Sequence, residues 1–234
     1  MVGIEISHLK VSFTLEQKKL DVLNDINLFI PQNKITVILG KSGCGKTTFL
    51  RVIKGLEKNY QGKINYHHLK MAYVFQEPRL MPWLTVYQNI IFGLSKKDIY
   101  DIQPLIKLVG LEGFAKAYPH QLSGGMQSRV AIARALAYKA DFILMDEPFS
   151  ALDYFTRLNM QKELLHIYEH HHLGILFVTH SIDEALMLGH NLLIMGKGKI
   201  IAEYKIDDVK RDLLADKYIL LKKQIINNLG GKNE

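Results

Sequence analysis

The stretch from Gly40 to Thr48, GKSGCGKTT, sets three glycines around a lysine and two adjacent threonines in the spacing G-x-x-x-x-G-K-[ST]. Glycines at 40, 43 and 45 let a backbone wrap an oxyanion with no Cβ in the way. A helix that starts there adds unpaired N–H groups and the positive end of its dipole, which suits a polyphosphate. In such a loop Lys46 reaches the β- and γ-phosphates and the Thr47 hydroxyl ligates Mg²⁺. The expected nucleotide cradle is therefore Gly40, Lys41, Ser42, Gly43, Cys44, Gly45, Lys46, Thr47 and Thr48.

Further reactive groups stand at the ends of other apolar runs. Phe142-Ile143-Leu144-Met145 ends in Asp146-Glu147-Pro148. Carboxylates at the C-terminal end of a parallel strand lie where open α/β sheets bind ligands. Alternation turns neighbouring side chains to opposite faces, so one acid can organise Mg²⁺ and the other can poise a water. The run 175–178 ends in Thr179-His180, where an imidazole is either a satisfied structural group or a γ-phosphate contact. Phe13, upstream of the glycine loop, could stack on adenine or simply pack in its strand. Ser123 is a good helix N-cap, and Gly124-Gly125 let a backbone approach a ligand closely.

These groups need strands and helices to hold them. Residues 35–39, short, apolar and β-branched, form the buried strand before the glycine loop, and 47–56 have helical spacing after it. Residues 4–13 and 22–30 alternate as antiparallel strands, and 62–66 and 71–75 are short strands. From 80 the character becomes helical, over 85–94, 98–109 and the stretch from Ser123 to Ala137. A strand at 141–145, a turn at 150–153, a helix to about His170 and a strand at 175–178 follow. A hairpin at 192–195 and 199–202 precedes a basic amphipathic helix over 208–229, expected to pack on the core.

The 234 residues, 48% of them hydrophobic, allow one large domain with a real core. No apolar window is long enough to cross a membrane, and the first residues lack a signal-peptide core. One cysteine allows no disulfide framework and fits a reducing cytosol. The net charge of +7 fits a lysine-rich surface around an anionic ligand, and no nucleic-acid partner is expected. Cys44, at a helix start, is either a low-pKa thiol or a tolerated loop residue, and the latter is expected. His166, His170, His171 and His172 are expected to be a solvated helix end rather than a zinc site.

Taken together, the segments resemble the ATP-binding cassette (ABC) family over essentially the whole chain. GKSGCGKT matches its Walker A, Gln76 its Q-loop glutamine, and LSGGM at 122–126 its signature motif. FILMDE at 142–147 matches Walker B, SALD at 150–153 the D-loop, and His180 the switch histidine. The resemblance implies an α/β fold: a P-loop NTPase core (ABC ATPase) with an antiparallel β subdomain and an inserted helical subdomain. The expected division is 1–79 and 138–204 for the nucleotide-binding core, 80–137 for the helical subdomain and 205–234 for a C-terminal helix.

The same resemblance implies ATP and Mg²⁺ as cofactors, Glu147 and His180 as catalytic groups, and Thr47, Gln76 and Asp146 around the metal. It implies a head-to-tail homodimer with each ATP between the Walker A of one chain and Ser123, Gly124 and Gly125 of the other. Met126 departs from the usual glutamine, and Asn33-Lys34 from the usual Gly-Glu. Residues 74–90, VFQEPRLMPWLTVYQNI, are similar to cassettes of nitrate/sulfonate/taurine-type importers and of importers for pyrimidine precursors of thiamine. There the segment meets a membrane permease, and Trp83 is either an exposed anchor on it or part of the helical-subdomain core. The implied partners are that integral membrane permease, at the cytoplasmic face of the membrane, and an extracytoplasmic solute-binding protein. The alternative is a soluble ABC ATPase outside transport; a small kinase or GTPase would share only Walker A.

Overall fold

The computed structural model describes residues 2–16, 18–171, 173–208 and 211–230. The chain forms two compact units, Met1–Leu69 with His172–Glu234, and Lys70–His171. The strands at 71–75 and 141–145 thus group with the helices that lie between them in sequence, and the division runs through 69/70 and 171/172.

In the first unit β1 (Gly3–Leu15) and β2 (Lys18–Pro31) run antiparallel, and β4 (Gln61–Asn65) adds to the other edge of β1. Ile4, Ile6, Leu9 and Val11 of β1 are buried with Leu23, Ile26 and Ile30 of β2. Ile6 and Leu9 are three residues apart yet both point inward. A register shift between them, with His8 at φ 53°, absorbs the extra residue as a bulge.

A second layer has the order β7-β3-β8-β9, from β3 (Ile35–Leu39), β7 (Gly174–Thr179), β8 (Asn191–Gly196) and β9 (Lys199–Lys205). β3 is parallel to both β7 and β8, while β9 returns antiparallel. Every residue of β3 and β7 is buried, as expected of parallel strands covered on both faces. α1 (Lys46–Lys54) buries Phe49, Leu50, Val52 and Ile53 and stops at left-handed Gly55, whose N–H bonds back to Arg51 and Val52. α6 (Ile182–Leu188), absent from the sequence reading, starts on the Ser181 hydroxyl.

α7 (Asp216–Gly230) begins later than the apolar pattern suggested. Asp208 accepts from Lys217 Nζ (2.7 Å) and Tyr218 Oη (2.9 Å), so it braces the helix start from outside. The Arg211 guanidinium is spent on the Leu186 and Met187 carbonyls.

In the second unit β5 (Met71–Val74) and β6 (Phe142–Asp146) are parallel neighbours. α2 (Val86–Ile91), α3 (Gln103–Leu108), α4 (Gly124–Ala137) and α5 (Tyr154–His171) complete it. α2 and α3 are shorter than their periodicity suggested. Phe92 turns extended and Gly93 takes φ 88°, which ends α2. The Ser95 hydroxyl is held by Asp98, and the Asp101 carboxylate takes the Gln103 N–H, so α3 starts only at Gln103.

Candidate nucleotide site

In the first unit β3 ends at Leu39, in register with Thr179 of β7 and Ile194 of β8. Gly40 and His180 therefore leave adjacent parallel strands side by side, at the sheet edge where α/β folds take ligands. The loop has no spare room at two of its glycines. A Cβ on Gly40 would lie 2.5 Å from the Met195 carbonyl oxygen and 2.6 Å from Cys44 Sγ. Gly45 caps α1 at φ 108°, with the Val22 carbonyl oxygen 2.9 Å from where its Cβ would sit.

Lys46 is buried, and its ammonium donates to the carbonyl oxygens of Gly40 (2.8 Å) and Lys41 (3.1 Å). The side chain arches over the loop it terminates. Lys41, Ser42, Gly43 and Thr47 are exposed, and Cys44 and Thr48 half-buried. Burial pushes the Cys44 thiol above its ordinary pKa and outweighs the pull of Lys46, so the reactive-thiol reading is set aside. Phe13 is half-buried in β1, opposite Leu20.

His180 is exposed. The turn beyond it is built by residues that sequence reasoning missed. Thr179 Oγ1 donates to Glu184 Oε2 (2.5 Å) and accepts from Ser181 N–H (2.9 Å), while Ser181 Oγ accepts from Glu184 N–H (3.4 Å). A serine followed three residues later by Glu is the available signal.

In the second unit Val74 stands in register with Met145, so Gln76 and Glu147 emerge two residues beyond, at the same edge. Asp146 is buried, and Tyr73 Oη donates to its Oδ2 at 3.2 Å. Tyr73 was read only as part of a strand; a phenol in a short buried strand needs a polar partner, which was the clue. Glu147 takes φ 45°, a left-handed conformation uncommon for a residue with a Cβ, and Ser150 N–H closes the turn onto its carbonyl at 3.1 Å. Gln76 is exposed and Glu147 half-buried.

Ser123 caps α4 as expected, its Oγ accepting from Met126 N–H at 3.3 Å. Ser123 and Gly124 are exposed at the start of this 14-residue helix, and a Cβ added at Gly124 would point into open space. Gln127 fixes the approach by donating to the Pro119 carbonyl at 3.0 Å. At the far end of α4 the Arg134 guanidinium donates to the carbonyls of Pro78 (2.9 Å) and Arg79 (3.1 Å). Burial holds its pKa below the usual arginine value. The segment just after Gln76 is thus tied to the helix that starts at Ser123. Trp83 is 69% exposed, which removes its reading as core.

Among the described residues no cluster of three or more His, Cys, Asp or Glu side chains could hold a metal. The side chains of His170 and His171 and all of His172 lie outside the described residues. The Thr47 hydroxyl, the Gln76 amide oxygen and the Asp146 carboxylate are hard oxygen donors, the class that Mg²⁺ prefers.

Comparison with known proteins adds to this geometry. Residues 23–150 match the family described as ABC transporter. The chain belongs to that family. It is 52% identical over 178 residues to an aliphatic sulfonates import ATP-binding protein, SsuB 2, of Pseudomonas syringae pv. tomato, covering 75% of this chain and 76% of the relative. It is 41% identical over 209 residues to SsuB of Bacillus cereus, across 84% of this chain and 83% of that one. Its fold is similar to the dimeric post-hydrolysis structure of the ATP-binding cassette MJ0796 bound to ADP and Pi. That likeness has TM-score 0.79 and 29% identity, and covers 88% of this chain and 99% of the cassette. The ABC assignment accounts for a glycine loop on a central parallel strand, acids at a strand end and a serine-capped glycine helix in one chain.

Proposed function

We propose that this chain is the ATP-hydrolysing subunit of an importer for a small solute. The observation that carries the reading is the glycine-built loop with Lys46 arched over it, at the strand edge where His180 also emerges. Phosphate oxygens replace the two carbonyls that Lys46 now holds, and the N–H groups at the start of α1 receive them. Thr47, Asp146 and Gln76 would be the oxygen donors for Mg²⁺, which would supply positive charge to the phosphates. Phe13 faces the adenine. Glu147 takes a proton from the attacking water as its oxygen bonds to the γ-phosphorus and the bond to ADP breaks. Lys46 and His180 stabilise charge on the transferred group.

Ser123, Gly124 and Gly125 serve the nucleotide of a second copy in a head-to-tail homodimer, a reading supported by the dimeric state of the similar cassette. The import direction and a sulfonate-like solute are supported by the names of the relatives. A nitrate- or taurine-like small solute and a thiamine pyrimidine precursor are the other candidates. Among the described residues no helix is long and apolar enough to cross a membrane. The chain works at the cytoplasmic face through an integral membrane permease, supplied by an extracytoplasmic solute-binding protein, and Trp83 is its anchor on the permease.

Glu147→Gln tests the reading. Hydrolysis should fall on the order of a hundredfold or more while ATP still binds and accumulates in a stable dimer. Near-normal turnover would remove Glu147 from the role of base.

A further inference from the structure

The loop that exposes Trp83 has an unusual foundation. Asn89, on α2, is fully buried, although amides are mostly exposed in folded proteins. Both ends of its amide are bonded to the backbone of residues 81–85. Its Oδ1 accepts from Met81 N–H at 2.8 Å. Its two Nδ2 hydrogens are shared among the carbonyls of Met81 (3.1 Å), Leu84 (2.9 Å) and Thr85 (3.1 Å). Pro82 and Trp83, the two residues of this span that Asn89 does not touch, stand between those contacts. A large exposed ring therefore sits on a short segment gripped from beneath on both sides.

The surroundings tighten the grip. Leu84 N–H bonds to the Met81 carbonyl at 3.1 Å, closing the turn around Pro82-Trp83. Thr85 and Gln88 form a reciprocal cap that fixes where α2 begins. Val86 and Tyr87 N–H groups bond to the carbonyls of Ala117 and Ala115. A ring that is mostly exposed gains little for stability from so firm a base. Docking does gain, because a ring already held in position loses less conformational freedom on binding.

We infer that Asn89 is a positioning residue that pre-organises Trp83 for docking onto the membrane permease. The inference rests on the transport reading above, and its test separates the two. Trp83 is the sole tryptophan of the chain, so intrinsic fluorescence reports this loop alone. Asn89→Leu keeps the branched shape and heavy-atom count of the side chain and removes every hydrogen bond that side chain makes to the loop. In the full chain the fast component of the Trp83 anisotropy decay should rise about twofold, on the ps–ns scale of side-chain motion. ATP affinity should stay unchanged, and recovery with the cognate permease should fall about tenfold.

An unchanged anisotropy decay would overturn the positioning role whatever happens to docking. Normal permease recovery by Trp83→Ala would instead overturn the docking reading, leaving the Asn89 grip measurable but without that purpose. Should Asn89→Leu fail to fold, native-state hydrogen exchange decides. The Met81 amide should be protected about tenfold or more over free peptide, and an unprotected Met81 amide overturns the proposal.

Discussion

The phosphate loop and the Trp83 loop solve the same problem, holding a short irregular segment still, by opposite means. The first is built from backbone: glycines admit close carbonyls, and Lys46 bonds to the Gly40 and Lys41 oxygens. The second is built from one buried side chain, Asn89, that reaches into the loop from the following helix. A backbone-built loop is intolerant at the residues it contains. A loop held by a side chain tolerates change in itself and fails when its distant clamp is lost.

That contrast can be broken from either side. The largest effect is expected at Gly40→Ala, whose methyl would meet the Met195 carbonyl and Cys44 Sγ. It should destabilise the chain by about 3 kcal/mol, the upper part of the range for overpacking, and weaken ATP binding. Denaturant titration and nucleotide calorimetry measure both, and wild-type values would mean that this loop yields as easily as any other. Trp83→Ala should behave in the reverse manner. Its ring is mostly exposed, so stability should move by no more than roughly 0.5 kcal/mol. Assembly with the permease should weaken by about 2 kcal/mol, as at interface tryptophans. A lowered melting point with unimpaired assembly would invert the comparison.

The smallest effect concerns the foot of the phosphate-loop strand. His190 Nδ1 accepts from Ile35 N–H at 3.3 Å, and His190 N–H donates to the Ile35 carbonyl at 2.8 Å. Burial first, then Arg211 and Lys34, hold its imidazole down to about 4, against a weaker opposing pull from Asp207. The folded pKa lies below the unfolded one, so the unfolded chain takes up the proton first. This contribution is complete above pH 6.5, falls as pH drops toward 4 and is then gone. After discounting for partial exposure it is about 1 kcal/mol. His190→Gln, which keeps an acceptor without titrating, should flatten thermal stability between pH 6.5 and 4. An unaltered pH slope would remove His190 from that role.

The same contrast decides what was legible in the sequence. The Gly40–Thr48 loop, the strand before it, the Ser123 cap and the acids after β6 could be read because each is local. Glycine spacing, an apolar run and an N-cap act through neighbours in the chain. Asn89 and Arg134 act across turns or between segments, and nothing in their immediate sequence announces it. Tyr73 and Glu184 left only faint signs, a phenol in a buried strand and a serine three residues before a glutamate. The short α2 and α3 failed for a related reason: apolar spacing continued past points where Gly93 and the Asp98 and Asp101 side chains had already turned the backbone. The late start of α7 belongs here too, since Asp208 braces it from outside.

One consequence reaches beyond hydrolysis. The one thiol of the chain lies in the Gly40–Thr48 loop, and burial raises its pKa above the ordinary thiol value. Peroxide and alkylating agents attack thiolates, so Cys44 should react slowly with both, as iodoacetamide labelling of the native chain would measure.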